Sequence, residues 1–157
     1  MENLYKPPES NVTLEDKKKT YDYKLFKVSG IGVATFFGTV LAGGYLMYRN
    51  YKSLGKHAEA KQALIWSAVA VAAIVGIALI LPENINSPSI GFTVVQVVVI
   101  TQLAKKFFAD ALLDHELQGG VLASNWLAFG IALLVLLVLL VILVAFVIAG
   151  TFVGVWE

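Results

Sequence analysis

The sequence predicts an all-α integral membrane protein with three or four membrane segments, and three observations carry that prediction. The stretch Trp126 to Trp156, WLAFGIALLVLLVLLVILVAFVIAGTFVGVW, contains no charge and is apolar on every side, which no small soluble core can hide. The 157 residues are 58% hydrophobic and only 15% charged, where soluble domains hold about 25% charged residues. All twelve Lys and Arg lie before Phe107, and Glu157 is the sole charge after Glu116. Charge is therefore segregated along the chain, as it is when lipid decides which segments are wetted.

Residues 1–27 read as a polar, basic, mobile tail. Pro7-Pro8, few large apolar side chains and mixed charge leave too little burial to offset chain entropy. Asn11-Val12-Thr13 matches a glycosylation acceptor, which has meaning only in a lumenal setting. No apolar core of a cleaved signal peptide stands near Met1, so the first apolar segment is expected to direct insertion. Lys17, Lys18, Lys19, Lys24 and Lys27 are interleaved with Tyr21, Tyr23 and Phe26, a pairing that suits an interface with anionic lipid headgroups.

A single helical membrane domain is expected over 28–157. Its first segment, about 28–47, is long enough to span but carries Gly30, Gly32, Gly38, Gly43 and Gly44, each less favourable than Ala in a helix by about 1 kcal/mol. Gly38, Gly43 and Gly44 are the candidate break or pore element, and Gly55 is a plausible C-terminal cap. The second segment, about 62–81, ends at Pro82. Its Ala68, Ala72 and Gly76 recur every four residues, a small-residue strip that lets another helix approach.

Pro82 to Ser89, with two prolines and two asparagines, reads as a tight loop. The third segment, about 90–108, is rich in β-branched residues and ends at Lys105 and Lys106, which snorkel to the interface. Residues 106–118 alternate in helical period, with Phe108, Ala111 and Leu112 on one face and Lys106, Asp110 and Asp114 on another, the pattern of an interfacial amphipathic helix. Gly119-Gly120 ends it, and Ser124 or Asn125 caps the last segment, about 126–156. That segment is about 45 Å long against a hydrocarbon thickness of about 30 Å, so it tilts or projects.

Two topologies follow. If 28–47 spans, the twelve cations divide six against six across the membrane; if it is re-entrant, all twelve face one side. The cytoplasmic bias of Lys and Arg favours the second, with the N-terminus cytoplasmic, whereas the need to cover a broken backbone at membrane depth argues against it.

The stretch Ala34 to Gly55, ATFFGTVLAGGYLMYRNYKSLG, with AKQALIW, the Pro82-Glu83-Asn84 turn and the Ala123-Ser124-Asn125-Trp126 entry, resembles a set of small bacterial membrane proteins with no established activity. The resemblance runs from about Lys24 to Trp126 and implies a bacterial inner membrane. Members often carry Gly-Pro after the first motif glycine, while Thr39-Val40 follows Gly38 here, so no proline enforces a break.

Candidate chemistry is sparse. Asp110, Asp114, His115 and Glu116 include a carboxylate pair at i, i+4, a spacing open to a hard cation but equally that of a solvated helix face. His57, Glu59 and Lys61 read as an exposed turn. No ionisable residue lies inside the hydrocarbon segments, which disfavours proton relays and ion-coupled transport. Thr93 and Gln96 share a helix face, to tie helices together or to line a polar path; Gly150 to Gly154 matches a close-packing GxxxG pattern. With no cysteine, nucleotide loop, HExxH or nucleophile elbow, no enzyme, cofactor or metal is expected, and no nucleic-acid partner. The expectation is a structural, scaffolding or regulatory subunit that packs against itself or a membrane partner. Its rivals are an oligomeric channel or transporter using the glycine-rich segment with Thr35, Thr39, Thr93 and Gln96, and an immunity protein against a membrane-active toxin.

Overall fold

The least helix-like of the apolar segments is the centre of the molecule. In the computed structural model, which describes residues 22–80 and 89–152, two short strands, β1 (Leu25–Phe26) and β2 (Leu122–Ala123), accompany four helices. These are α1 (Val28–Ser53), α2 (His57–Ile80), α3 (Ser89–Leu117) and α4 (Asn125–Phe152). All four helices are long and apolar enough to cross a membrane. In α1, however, 67% of the most apolar window is buried, against 11%, 17% and 6% in α2, α3 and α4. The other three pack on α1 and make at most marginal contact with one another.

Within α1 the chain reverses. Gly38 (φ −115°, ψ 17°) and Thr39 (φ 66°, ψ −179°) leave the helical region, dividing α1 into a first limb, 28–37, and a return limb, 40–53. A straight helix would hold residues 26 and 50 about 36 Å apart. Instead the Asn50 side chain grips the Phe26 main chain from both sides: Phe26 N–H donates to Asn50 Oδ1 at 2.7 Å, and Asn50 Nδ2 donates to Phe26 O at 2.9 Å. Asn50 is buried, so these two bonds satisfy groups that water does not reach.

One end of the molecule gathers the polar pieces. Strand β1 pairs with β2 in parallel, Leu25 with Leu122 and Phe26 with Ala123, so that α1 and α4 start side by side. There the Ser29 hydroxyl donates to Asn125 Oδ1 at 3.3 Å. Tyr23 stacks on His115 at 5.1 Å, and Tyr51 lies 4.5 Å from the Phe108 ring, which brings in the end of α3. Lys24, Lys27, Arg49, Lys52, Lys56, Lys61, Lys105 and Lys106 all belong to the segments that meet at this end.

Helix ends follow local chemistry. Gly55 (φ 74°) and Gly119 (φ 81°) adopt the left-handed conformation that closes α1 and α3. Each makes the paired bonds of a Schellman turn: Gly55 N–H to Lys52 O with Lys56 N–H to Tyr51 O, and Gly119 N–H to Glu116 O with Gly120 N–H to His115 O. Ser124 caps α4, its Oγ accepting from Leu127 N–H at 3.2 Å.

Two boundaries differ from the expectation. Residues 106–118 do not form a separate interfacial helix. They are the last turns of α3, which nothing interrupts before Gly119, and the face carrying Phe108 and Leu112 is buried against protein while Lys106, Asp110 and Asp114 are exposed. Likewise Leu25 and Phe26, assigned by composition to the tail, are buried core residues paired to β2. The rest of the tail as far as residue 21, including Asn11 to Thr13, lies outside the described residues, as do the 82–88 loop and positions 153–157.

Replacing Asn50 with Leu would strand the buried Phe26 N–H and C=O, and is expected to destabilise the protein by about 2–3 kcal/mol. Asn50→Asp, which keeps the acceptor for Phe26 N–H but sets a buried carboxylate oxygen against Phe26 O, should lose at least as much. Unfolding of the purified variants by SDS in mixed micelles measures both.

Candidate functional site

The two limbs of α1 use glycine where each meets a neighbour. A Cβ at Gly30 would lie 3.2 Å from Ala128 Cβ of α4, and one at Gly32 would lie 3.0 Å from Thr101 Oγ1 of α3. At Gly38 it would stand 2.7 Å from Ala132 O of α4 and 2.6 Å from Ala42 Cβ of the return limb. At Gly43 it would run into Thr35 Oγ1 of the first limb, and at Gly44 into Ser67 Cβ of α2. Each collision is with a different partner, so every one of these glycines sets a separate interhelical distance. Ala34, Ala42, Ala104, Ala128 and Ala132 are buried among them, so that small residues face small residues throughout.

The reversal itself is strained. Thr39 sits near the region, φ positive and ψ near 180°, that is essentially reserved for glycine, at a cost of about 1–3 kcal/mol. Its hydroxyl oxygen accepts from Leu41 N–H at 3.4 Å, a weak cap for the return limb. Thr35, buried on the first limb, donates instead to Ile31 O at 2.9 Å. The break therefore forms without a proline; Gly38 and Thr39 absorb the turn, and Ala132 of α4 and Ala42 pack directly over it.

Beside the return limb, α2 and α3 splay apart and leave a groove of about 690 Å³. Val40, Gly44, Met47 and Tyr51 form its floor. One wall is α2 from Glu59 to Ile74 and the other is α3 from Phe92 to Phe107, so both walls run the same number of turns. Polar groups are few: Glu59, Gln62 and Tyr51 at the lysine-bearing end, with Ser67 and Gln96 deeper. A second, smaller depression lies between Val33 and Phe37 of the first limb and Asn125, Trp126 and Phe129 of α4.

The structure brings together some of the candidate residues and separates others. Gly38, Gly43 and Gly44 are buried at the centre with Thr35. Gln96 lines the groove, and Thr93 is half-buried one turn away. The Ala68, Ala72 and Gly76 strip faces away from the packed core of the described residues: Ala68 and Ala72 are exposed and a Cβ at Gly76 would meet open space. Helix α2 turns a neighbouring face inward, with Ala60 and Ser67 buried and Ala63, Ala70 and Ile74 partly so. Gly150 is half-buried in the last turn of α4, and Gly154 lies outside the described residues.

The titratable cluster is divided. His115 is turned into the protein against Tyr23, its Nε2 3.3 Å from Val121 O, while Asp110, Asp114 and Glu116 are exposed. Among the described residues no three His, Cys, Asp or Glu side chains are placed to hold one metal ion. His57, Glu59 and Lys61 are exposed at the start of α2.

Sequence reasoning includes Asn50 in the resembling stretch but assigns it no structural role. The available signal was a neutral amide between charged and aromatic residues at the end of an apolar segment, which reads as solvated until its partner 24 residues earlier is known.

Compared with known proteins, the chain matches no family model, no curated protein and no solved structure.

Two sets of substitutions test this packing. Gly44→Ala, by driving a methyl into Ser67, is expected to destabilise by about 1–3 kcal/mol, and adding Ser67→Gly should restore most of the loss; a double-mutant cycle on unfolding in mixed micelles reads the coupling. Thr39→Gly should stabilise by about 1 kcal/mol through release of the positive φ, seen as a rise in the same unfolding midpoint.

Proposed function

We propose that this is a bacterial inner-membrane protein of structural or regulatory-subunit type, which crosses the bilayer three times around a half-membrane hairpin and acts by helix packing with itself or a membrane partner. One observation carries the reading: the three outer helices are held only along the half of their length that faces α1. Beyond the reversal, the described side chains of 75–80, 90–99 and 133–152 include none that is buried. A monomer thus leaves three apolar helix segments only thinly packed in one half of the membrane, together with the outward strip of Ala68, Ala72 and Gly76.

The hairpin topology is supported by the return of Asn50 to Phe26 and by the gathering of Lys and Arg at one end, which the positive-inside bias reads as cytoplasmic. The first limb, 28–37, is about 15 Å long, half of a hydrocarbon core of about 30 Å. The resemblance to small bacterial membrane proteins supports the choice of membrane. A channel has weaker support: Ala132 and Ala42 close over the reversal, and the Thr35 hydroxyl bonds to its own helix instead of to a pore.

Topology and association are tested separately. The chain has no cysteine, so single cysteines introduced at Ser87 and Glu157 are expected to label in intact cells with an impermeant thiol reagent, and one at Ser53 only after the membrane is opened. Labelling at Ser53 alone would mean four crossings. For association, the labelled protein reconstituted in liposomes should show energy transfer that falls on dilution with lipid, and Gly76→Ile should weaken it about tenfold, as loss of a close interhelical approach worth about 1.4 kcal/mol would do. A chain that stays monomeric at every protein-to-lipid ratio and captures no membrane protein removes the reading.

A further inference from the structure

The floor of the groove between α2 and α3 ends where the hairpin ends, and this limits what fits it. That floor, Val40 to Tyr51, is about 16 Å long at 1.5 Å per residue. A bilayer is about 30 Å thick in hydrocarbon and about 40–45 Å with its headgroups, so one leaflet with its headgroup layer is about 20–22 Å. A partner's transmembrane helix needs a track through both leaflets. This groove offers a floor in only one, from Tyr51 at the polar end to Val40 beside the reversal.

Its polarity is that of an amphiphile. The deep part is lined by Val95, Val99, Ile100, Ala70 and Ile74, while the charged side chain of the lining, Glu59, stands at the mouth. Glu59 lines the α2 rim, and on the α3 rim the Lys106 ammonium lies 6.0 Å from the centre of the Phe107 ring that lines the groove. Gln62 adds a neutral donor and acceptor between them. A headgroup that is purely anionic would face the Glu59 carboxylate, and one carrying a quaternary ammonium could not donate a hydrogen bond to it.

We propose that the α2/α3 groove is a binding site for a phospholipid of the lysine-side leaflet bearing a primary ammonium headgroup, with acyl chain against Val95, Val99 and Ile74, phosphate toward Lys106 and ammonium toward Glu59. The site is reached laterally, because α2 and α3 do not close over it. The proposal rests on the reading of the lysine-bearing end as a membrane surface, and is independent of whether the chain self-associates.

Trp66 lines this groove and supplies the probe. The full chain carrying Trp126→Phe and Trp156→Phe, with Trp66 as its one tryptophan, is reconstituted in phosphatidylcholine vesicles. Brominated-acyl phosphatidylethanolamine, phosphatidylcholine or phosphatidylglycerol is then titrated in. The ethanolamine lipid is expected to quench Trp66 beyond its mole fraction, with a two- to fivefold preference over the choline lipid, about what one partly exposed ion pair supplies. Glu59→Gln should abolish that preference, Lys106→Gln should weaken all three lipids, and Ala70→Phe, which fills the groove, should return quenching to the mole fraction. Quenching proportional to mole fraction for all three lipids, preference for the glycerol lipid, or a preference that survives Glu59→Gln overturns the proposal. Bromine placed near the headgroup or near the chain end reports the depth of Trp66 separately, so an end wrongly assigned to the surface and an empty groove give different results.

Discussion

A helix that breaks among apolar neighbours leaves peptide groups without partners, and the rest of this structure depends on how that break is covered. At Gly38 and Thr39 the α1 ladder is interrupted and the chain turns back. In hydrocarbon an exposed N–H or C=O costs several kcal/mol, so such backbone survives only under protein or at water. Here the cover is direct. Ala132 of α4 and Ala42 of the return limb sit over Gly38, and Thr39 caps the new limb with its own hydroxyl. The three outer helices attach chiefly to the hairpin, and its glycines are where they approach it.

That arrangement explains a composition that is otherwise a liability. Five glycines in twenty residues weaken a helix by propensity alone, and lipid supplies no hydrophobic drive between helices to compensate. Close packing takes its place. Gly30 and Gly38 admit α4, Gly32 admits α3, Gly44 admits α2, and Gly43 lets the two limbs themselves close on each other at Thr35. The Asn50 clamp on Phe26 then fixes the open end of the hairpin. Dispersion contacts along the limbs and two buried hydrogen bonds at their base act on the same element, so loosening either end loosens all three interfaces.

Much of this was legible in the sequence, and the illegible part has a common cause. Hydropathy located the helices that carry α2, α3 and α4, because an apolar run of that length has one stable environment. The helix ends were readable too, since Gly55, Gly119 and Ser124 act through their own local chemistry. Contacts between residues distant in sequence were not readable. Asn50 looks solvated without Phe26, Leu25 and Phe26 look like tail without Leu122 and Ala123, and residues 106–118 look like a surface helix without Tyr51 beside Phe108. Periodicity identifies an apolar face but not what covers it. The same ambiguity affected α2, where Ala68, Ala72 and Gly76 form the more regular strip, yet the face that packs holds Ala60, Ala63 and Ser67.

The half-length hairpin also makes the molecule asymmetric across its own thickness. On the lysine-bearing side α1 separates α2 from α3 and α4, and the spacing is set by backbone and small side chains that cannot compress further. On the other side no α1 exists, and among the described residues nothing is buried there. Closing the outer halves onto one another would lever the inner halves apart at Gly32 and Gly44, where contacts already stand at the limit of approach. The hairpin therefore holds open a space that it does not fill. In a membrane such a space is occupied by lipid or by another helix, and the proposed readings divide accordingly: lipid in the shallow groove that has a floor, protein against the deep faces that have none.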